Sequence, residues 1–571
     1  MKTARTKKTF LSLLSLGLLM CMPFSEGQVF AADGMKANTV RMEQGDFLAG
    51  PGIAVASTES GLVQGYVRKG IYTYHGVPYA EAKERFVRAE RVTPWQGVRL
   101  AFDYGAIAPQ EKGGFLNTTW EDPAREFPMD NNCQNLNIWT PGIADGKKRP
   151  VMVWLHGGGF SAGSSAEIPA YDGANLSREG DVVVVSVNHR LNVLGHFDLS
   201  AYGEKYRNAD NVGIYDLVDA LRWWVRDNIA QFGGDPANVT IFGESGGGAK
   251  VLALMTTPYA KGLFHKGIVE SGAVPTMGPV FMPKEAAARV TELTLEKLGI
   301  TAERIEEIQT IPYEHLTTAS NEALKQAGEE FKVPQALGTG YGMSWEPVID
   351  GDFMPTNPVT ADGFAAAGKD IPLLIGSNRT EWTNFSDIMQ MERAQSDNKN
   401  TWSTEEVDRR LRDAYGDKAE KIAAAFLRAY PQKKRADALY VDTMIRLPIK
   451  EIMDHKAMQG GAPVYAYLFA WDSPMMGGVY MSYHTAEIPF VFHNIDRAEK
   501  SIGGSAEAEK LEAQMSRAWI HFARTGKPEA PGMPNWDAYT LQGGATMMFD
   551  ADTKLVHHHD AELLKLLSPA Q

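Results

Sequence analysis

Chemistry is first suggested by Gly243-Glu244-Ser245-Gly246-Gly247, a Gly-x-Ser-x-Gly run that follows the apolar, β-branched stretch Val239-Thr240-Ile241-Phe242. A serine so placed, between a short buried strand and a helix, suits a nucleophile held on a sharp turn, because side chains two residues to either side would strike the neighbouring elements. Upstream, the strand-like Pro150-Val151-Met152-Val153-Trp154-Leu155 runs directly into His156-Gly157-Gly158-Gly159-Phe160. Backbone N–H groups approach a developing oxyanion only where no side chain keeps the main chain away, and successive glycines permit that approach. Glycine fills 55 of the 571 positions, so either motif alone would be an ordinary turn, and the pairing in this order carries the weight. Together they point to attack of a serine hydroxyl on a carboxyl carbon.

A serine hydroxyl is too weakly acidic to attack unaided at neutral pH, so a histidine must take its proton and an acid must orient that histidine. With an elbow of this kind the chain order is serine, acid, histidine. After Ser245 come His265, His315, His455, His484, His493, His521 and His557-His558-His559. Among these, His484 follows the strand-like stretch from Val464 to Trp471. Glu381 is the acid candidate, since Gly376-Ser377-Asn378-Arg379-Thr380-Glu381 follows the apolar Ile371-Pro372-Leu373-Leu374-Ile375.

These residues need a scaffold. The pattern predicts strands at 150–155, 181–187, 239–243, 268–272, 371–376 and 464–471, with a helix around 212–231 and another leaving the serine over Ala249–Met255. Such alternation predicts an α/β fold with a large, mostly parallel central sheet and helices on both faces. Residues 58–80 read as the antiparallel start of that sheet. Two helical insertions are expected to wall the site: 284–298, closed by Gly299, and a second that opens with the capping box Ser403 and Glu406 and runs toward Pro431. Leu511, Met515, Ala518, Trp519 and Phe522 share one helical face, which predicts a core helix stopped by Gly526 and Pro528. His557-His558-His559-Asp560 could in principle hold a metal, but successive side chains diverge and no further ligand pattern surrounds them.

Other segments accompany these motifs: Tyr74-His75-Gly76-Val77-Pro78-Tyr79-Ala80, Asn135-Leu136-Asn137-Ile138-Trp139, Asn188-His189-Arg190-Leu191, and Asn228-Ile229-Ala230-Gln231-Phe232-Gly233-Gly234-Asp235-Pro236. In this order the chain resembles the type B carboxylesterases, an α/β-hydrolase family that includes cholinesterases and bacterial para-nitrobenzyl esterases. The likeness covers nearly all of the chain beyond its first residues. It implies a serine esterase that works through an acyl-enzyme without metal or organic cofactor. Tyr483-His484-Thr485-Ala486-Glu487-Ile488-Pro489-Phe490 is similar to the family's histidine segment. The resemblance implies Ser245, Glu381 and His484 as the triad, the N–H groups of Gly158, Gly159 and Gly246 as oxyanion donors, and Ser271 and Glu487 as polar support near the histidine. Two positions depart from the family: Gly246 replaces its usual alanine, and Trp382 follows the acid where glycine is usual. Trp382 and Phe385 are expected to narrow the acyl side of the pocket, with Phe160 and Trp120 as further pocket candidates.

Lys2, Arg5, Lys7 and Lys8 precede an apolar run from Phe10 to Met22 and small residues at Ala31-Ala32, the pattern of a bacterial export signal cleaved after Ala31. The run is too short to span a membrane comfortably, and Met20 stands where a lipidated Cys21 would want a small neighbour. Removing residues 1–31, with four basic side chains and Glu26, takes the formal charge from -13 to -16, which disfavours nucleic acid or an anionic membrane as partner. Cys133 is then the one remaining cysteine, so no internal disulfide can form, and a buried inert thiol is expected. Sequons at Asn117, Asn175, Asn238, Asn378 and Asn384 read as chance, two of them lying beside the proposed site. With no linker or repeat, residues 32–571 are expected to form one domain secreted or held in the periplasm, acting on a small ester. Two rivals are weaker. An adhesion homologue would have lost triad members, all present here; an interfacial lipase or sterol esterase would carry an apolar lid, and none is identifiable.

Overall fold

The computed structural model describes residues 47–111, 126–274, 279–335, 340–384 and 396–568. The expected leader with Cys21, and the pocket candidates Trp120 and Phe385, lie outside them.

One sheet carries twelve strands: β1 (Phe47–Leu48), β2 (Tyr66–Arg68), β3 (Ile71–Pro78), β4 (Asn135–Thr140), β5 (Arg149–Leu155), β6 (Val183–Val187), β7 (Gly234–Glu244), β8 (Lys266–Glu270), β9 (Leu373–Asn378), β10 (Val464–Phe469), β11 (Ala545–Phe549) and β12 (Lys554–His557). Their spatial order is β1-β2-β3-β4-β6-β5-β7-β8-β9-β10-β11-β12. From β6 to β11 in that order every neighbour is parallel. The pairs outside this block are antiparallel. Parallel strands covered on both faces need apolar residues at every position, and β5, β6, β8, β9 and β10 are buried from end to end.

The antiparallel start differs from expectation in one respect. Thr58 and Gly61 close a hairpin, Val55–Thr58 with Gly61–Gln64, that pairs with Val98–Leu100 as a separate small sheet. The chain returns to the main sheet at Tyr66, after Gly65 passes so close to Thr73 that an added Cβ would lie 2.1 Å from its carbonyl oxygen. The expected helix at 212–231 is likewise segmented. Helix α1 (Val212–Asp219) widens into a π-helical stretch over Ala220–Val225, and the segment ends as a 3-10 turn, Ile229–Phe232, before left-handed Gly233.

Helix α2 (Gly246–Thr256) and helix α7 (Ala506–Thr525) cover opposite faces, and β8 shows how. Ile268 packs in one cluster with Met515, Trp519 and Phe522 of α7. Gly267, one residue earlier and so on the other face, looks toward Val251 and Met255 of α2. The first insertion folds as α3 (Lys284–Leu298), ended by left-handed Gly299, and α4 (Tyr313–Phe331), which share a cluster with Phe197, Tyr206 and Trp345. The second is broken at Gly416 into α5 (Thr404–Tyr415) and α6 (Ala419–Ala429), packed on Leu468 of β10 and Met548 of β11. Ser403 caps α5 by accepting the Glu406 N–H at 3.2 Å.

Cys133 is free and buried, and burial pushes its thiol well up. His557 and His558 direct ring nitrogens at the Gly543 and Gln542 carbonyls, at 2.8 and 3.0 Å. Asn378 is buried, its amide N–H groups donated to Tyr483 and Glu487, which leaves no place for a glycan.

Register sets the site. Gly243 lies beside Leu155, Glu244 beside Glu270, Glu270 beside Gly376, and Asn378 beside Phe469, so the carboxyl ends of β5, β7, β8, β9 and β10 form one edge. Ligands of open α/β sheets bind along such an edge.

Candidate active site

Ser245 joins β7 to α2 with φ 56° and ψ -124°, outside the regions an L-residue normally occupies. Backbone of this kind stores about 1–3 kcal/mol and persists only where its surroundings over-determine it. Here they do: the Ser245 N–H donates to the Glu270 carbonyl at 2.8 Å. A Cβ on Gly243 or Gly247 would lie 2.5 or 1.9 Å from the Leu155 carbonyl oxygen, so both glycines are required.

The loop after β5 turns on Gly158 and Gly159, with φ of 82° and 62°. It lies against the elbow: a Cβ on Gly157 would be 3.5 Å from that of Ser245, and one on Gly246 would be 2.3 Å from the Gly159 nitrogen and oxygen. Among the described residues, the N–H groups of Gly158, Gly159 and Gly246 meet no hydrogen-bond acceptor. Unpaired N–H groups on a loop that lies against the elbow are the kind of donors a developing oxyanion needs. Phe160 is fully buried and edge-on to His196, with ring centroids 5.4 Å apart.

Glu381 and His484 meet directly, Oε2 to Nδ1 at 2.7 Å, and the His484 N–H donates to the Glu381 carbonyl at 2.7 Å. Glu381 Oε1 takes the Ser271 hydroxyl at 2.7 Å and the Asn378 N–H at 2.7 Å. Burial pushes the Glu381 carboxyl up to about 8, against the pull of those two donors, and pushes the His484 imidazole down to about 4, against the pull of Glu487 and Asp442. Taken alone, the first shift would put the shared proton on the acid. The donors place it otherwise: with two on Oε1 and the imidazole on Oε2, the carboxylate is the form this pocket solvates. The proton therefore sits on Nδ1, and Nε2 keeps its lone pair.

Nε2 faces the elbow, 3.3 Å from Glu244 Oε1. Glu244 is buried, and burial together with Glu487, Glu381 and Glu270 holds its carboxyl well above the usual carboxylate range. Ser245 precedes α2 without making a side-chain capping hydrogen bond to it. Glu487 accepts from the Asn378 amide at 2.6 Å and from the Ser271 hydroxyl at 3.4 Å, and its carboxyl is raised to about 7, mainly by burial. Ser271 is thus hydrogen-bonded to Glu381 and, with Asn378, to Glu487.

Trp382 stacks on the imidazole of His484, and its indole N–H goes to Asp442, just beyond the second insertion. Neither Asp442 nor Glu244 carries a sequence signal for this role, although Glu244 lies inside the elbow motif. Among the described residues, no group of three or more His, Cys, Asp or Glu converges as a metal site.

Comparison with known proteins gives a consistent picture. The model of the Carboxylesterase family matches residues 53–565. The chain is 33% identical over 523 residues to the para-nitrobenzyl esterase of Bacillus subtilis (strain 168), covering 90% of this chain and 99% of that one. It is 32% identical over 506 residues to the phenmedipham hydrolase of Pseudarthrobacter oxydans, covering 86% and 94%. Among solved structures, an esterase from Clostridium hathewayi that can hydrolyse aliphatic aromatic polyesters superposes with a TM-score of 0.81 at 39% identity, covering 91% of this chain and 99% of that one.

Proposed function

The chain belongs to the carboxylesterase family and hydrolyses carboxylic esters, and we propose that Ser245, His484 and Glu381 carry that reaction through an acyl-enzyme. Ser245 Oγ attacks the ester carbon while His484 Nε2 takes its proton. The carbonyl oxygen, now an oxyanion, is received by the N–H groups of Gly158, Gly159 and Gly246. His484 passes the proton to the departing alcohol, and Glu381 stabilises the imidazolium in between. Water, deprotonated by the same Nε2, then attacks the acyl-serine, and the acid leaves as His484 returns that proton to Ser245 Oγ. Glu244, 3.3 Å from Nε2, meets the proton that His484 gains.

The observation that carries this reading is the orientation of one ring: His484 has Nδ1 held by Glu381 at 2.7 Å and Nε2 turned to the Glu244–Ser245 corner. Pre-steady-state hydrolysis of para-nitrophenyl esters from acetate to palmitate tests it. A nitrophenol burst stoichiometric with enzyme is expected, absent from Ser245→Ala; a burst that survives that substitution overturns the assignment. The chain-length optimum separates a soluble-ester hydrolase from an interfacial lipase.

We further propose that residues 1–31 direct export and are removed, leaving one domain from residue 32 in the periplasm or medium. The basic start, the short apolar run and Ala31-Ala32 support this. Among the described residues no helix is long and apolar enough to cross a membrane. The formal charge of -16 left after cleavage opposes binding to nucleic acid.

A further inference from the structure

Lys250 is a cation in the wrong surroundings. It lies in α2 among Ala249, Val251, Leu252, Ala253 and Leu254, and its exposure is 0%. A lone buried ammonium is strongly unfavourable unless specific acceptors replace water. Its Nζ donates to the His156 carbonyl at 2.8 Å and to the Gly157 carbonyl at 3.4 Å, both in the glycine loop. Burial lowers the ammonium to about 7, opposed by Glu167; burial raises Glu167 to about 7, opposed first by Lys250. Each offsets part of the other's desolvation, and Tyr171 adds a hydroxyl to Glu167 at 3.4 Å.

The use of such an arrangement follows from the peptide group. In a trans peptide the C=O of one residue and the N–H of the next point in opposite directions, so fixing the carbonyl aims the N–H. The three oxyanion donors can be traced back in this way. The Gly246 N–H belongs to the peptide of the Ser245 carbonyl, which accepts the Ala249 N–H at 3.1 Å. The Gly159 N–H belongs to that of the Gly158 carbonyl, which accepts from Ser161 and Ala162 at 3.2 and 3.0 Å. The Gly158 N–H belongs to that of the Gly157 carbonyl, and its partners are side chains: Lys250 Nζ, and His156 Nδ1 at 2.9 Å.

We propose that Lys250 is a positioning residue of the oxyanion site, holding the 156–158 peptides from behind so that the Gly158 N–H faces the substrate oxygen. Its charge acts in the same direction, because a cation on the carbonyl side polarises the peptide and strengthens its N–H as a donor. This rests on the assignment of Ser245 and the glycine N–H groups made above.

The test compares Lys250→Met, which removes donor and charge at similar volume, with Lys250→Gln, which keeps a donor without charge. Two quantities are read against wild type: the kcat and KM split on para-nitrophenyl butyrate, and the affinity for an alkyl trifluoromethyl ketone, whose adduct with the serine bears the oxyanion. Lys250→Met is expected to lower kcat about 10²-fold, as loss of one oxyanion donor does. KM should stay within about threefold, ketone affinity should fall in parallel with kcat, and Lys250→Gln should recover part of both. A folded Lys250→Met with wild-type kcat and ketone affinity, or with the loss entirely in KM, overturns the proposal. If neither variant folds, the wild-type enzyme decides. Between pH 6 and 9 its ketone affinity, corrected for ketone hydration, should fall as Lys250 deprotonates among Glu167, His156, His189 and His196, whereas a flat profile overturns the proposal. A Ser245→Ala control keeps the two ideas apart: if it retains the burst, the nucleophile assignment fails, and if it is inert while Lys250→Met is normal, only the lysine proposal fails.

Discussion

Trp382 lies flat against the imidazole of His484, ring centroids 5.3 Å apart and planes inclined by 20°, and donates its indole N–H to Asp442 at 3.0 Å. Asp442 is anchored in turn by the N–H groups of Met444 and Arg446 at 3.0 and 2.8 Å. The histidine is thus held at its edge by Glu381 and over its face by an indole that cannot rotate freely.

Such a ring pair contributes about 0.5–1.5 kcal/mol, or roughly two- to tenfold in an equilibrium. Trp382→Ala should lower kcat by about that factor with little change in KM, and Trp382→Phe should restore most of it. Equal losses in the two variants would place the importance of Trp382 in its bond to Asp442.

Gly246→Ala installs the residue usual in the resembling family and would ordinarily favour a helix start. Here the new methyl would stand 2.3 Å from the Gly159 backbone, so the glycine loop must retreat. A fall in kcat of about 10²-fold is expected, together with a lower Tm, because backbone rather than a flexible side chain must move. Unchanged turnover would mean that the loop gives way without loss of its donors.

On the proposed assignment catalysis needs His484 unprotonated, and burial pushes its imidazole down to about 4 while the Glu381 carboxylate 2.7 Å from Nδ1 draws it back up. The acid limb of kcat/KM for para-nitrophenyl acetate should therefore lie between that value and the 6.5 or so of a free imidazole. A limb at about 6.5 or above would contradict the desolvated site described here.

Glu487 gives the opposite slope in stability. Its carboxyl is raised to about 7, so between about 4.5 and 7 the folded chain holds a proton that the unfolded chain has released. Its stabilising contribution is complete below the unfolded value and is lost as pH rises through the folded one. Glu487→Gln, which still offers Asn378 a carbonyl, should therefore gain on wild type by a few degrees in Tm between pH 5 and 8. Parallel Tm profiles would show that Glu487 is not desolvated.

Much of this was legible from residue types. Val183–Val187 and Pro150–Leu155 could hardly be anything but strands covered on both faces, and Gly243, Gly247 and the loop glycines are forced by approaches of backbone to backbone. What escaped depends on contacts between distant segments. Nothing in the spacing of Trp382 and Asp442 states that they touch, and Phe160, beside the donors in sequence, turns into the core toward His196. Nothing in the residue types of Ala220–Val225 marks the π-helical stretch that interrupts the helix after Asn211. Lys250 was visible all along as a lone charge in an apolar helix. Its partners were not, since they lie more than ninety residues upstream.

The strand order also governs when the chain acquires its chemistry during synthesis. Ser245 and the glycine loop hang from β7 and β5, early in the chain, but the base arrives on the loop beyond β10, and α7 and β11 follow it before the sheet is complete. On the assignment proposed above, a ribosome-bound chain released as far as Trp471 carries nucleophile, oxyanion donors and acid yet lacks His484. It gains its base only as residues 472–571, less than the last fifth of the chain, emerge and dock.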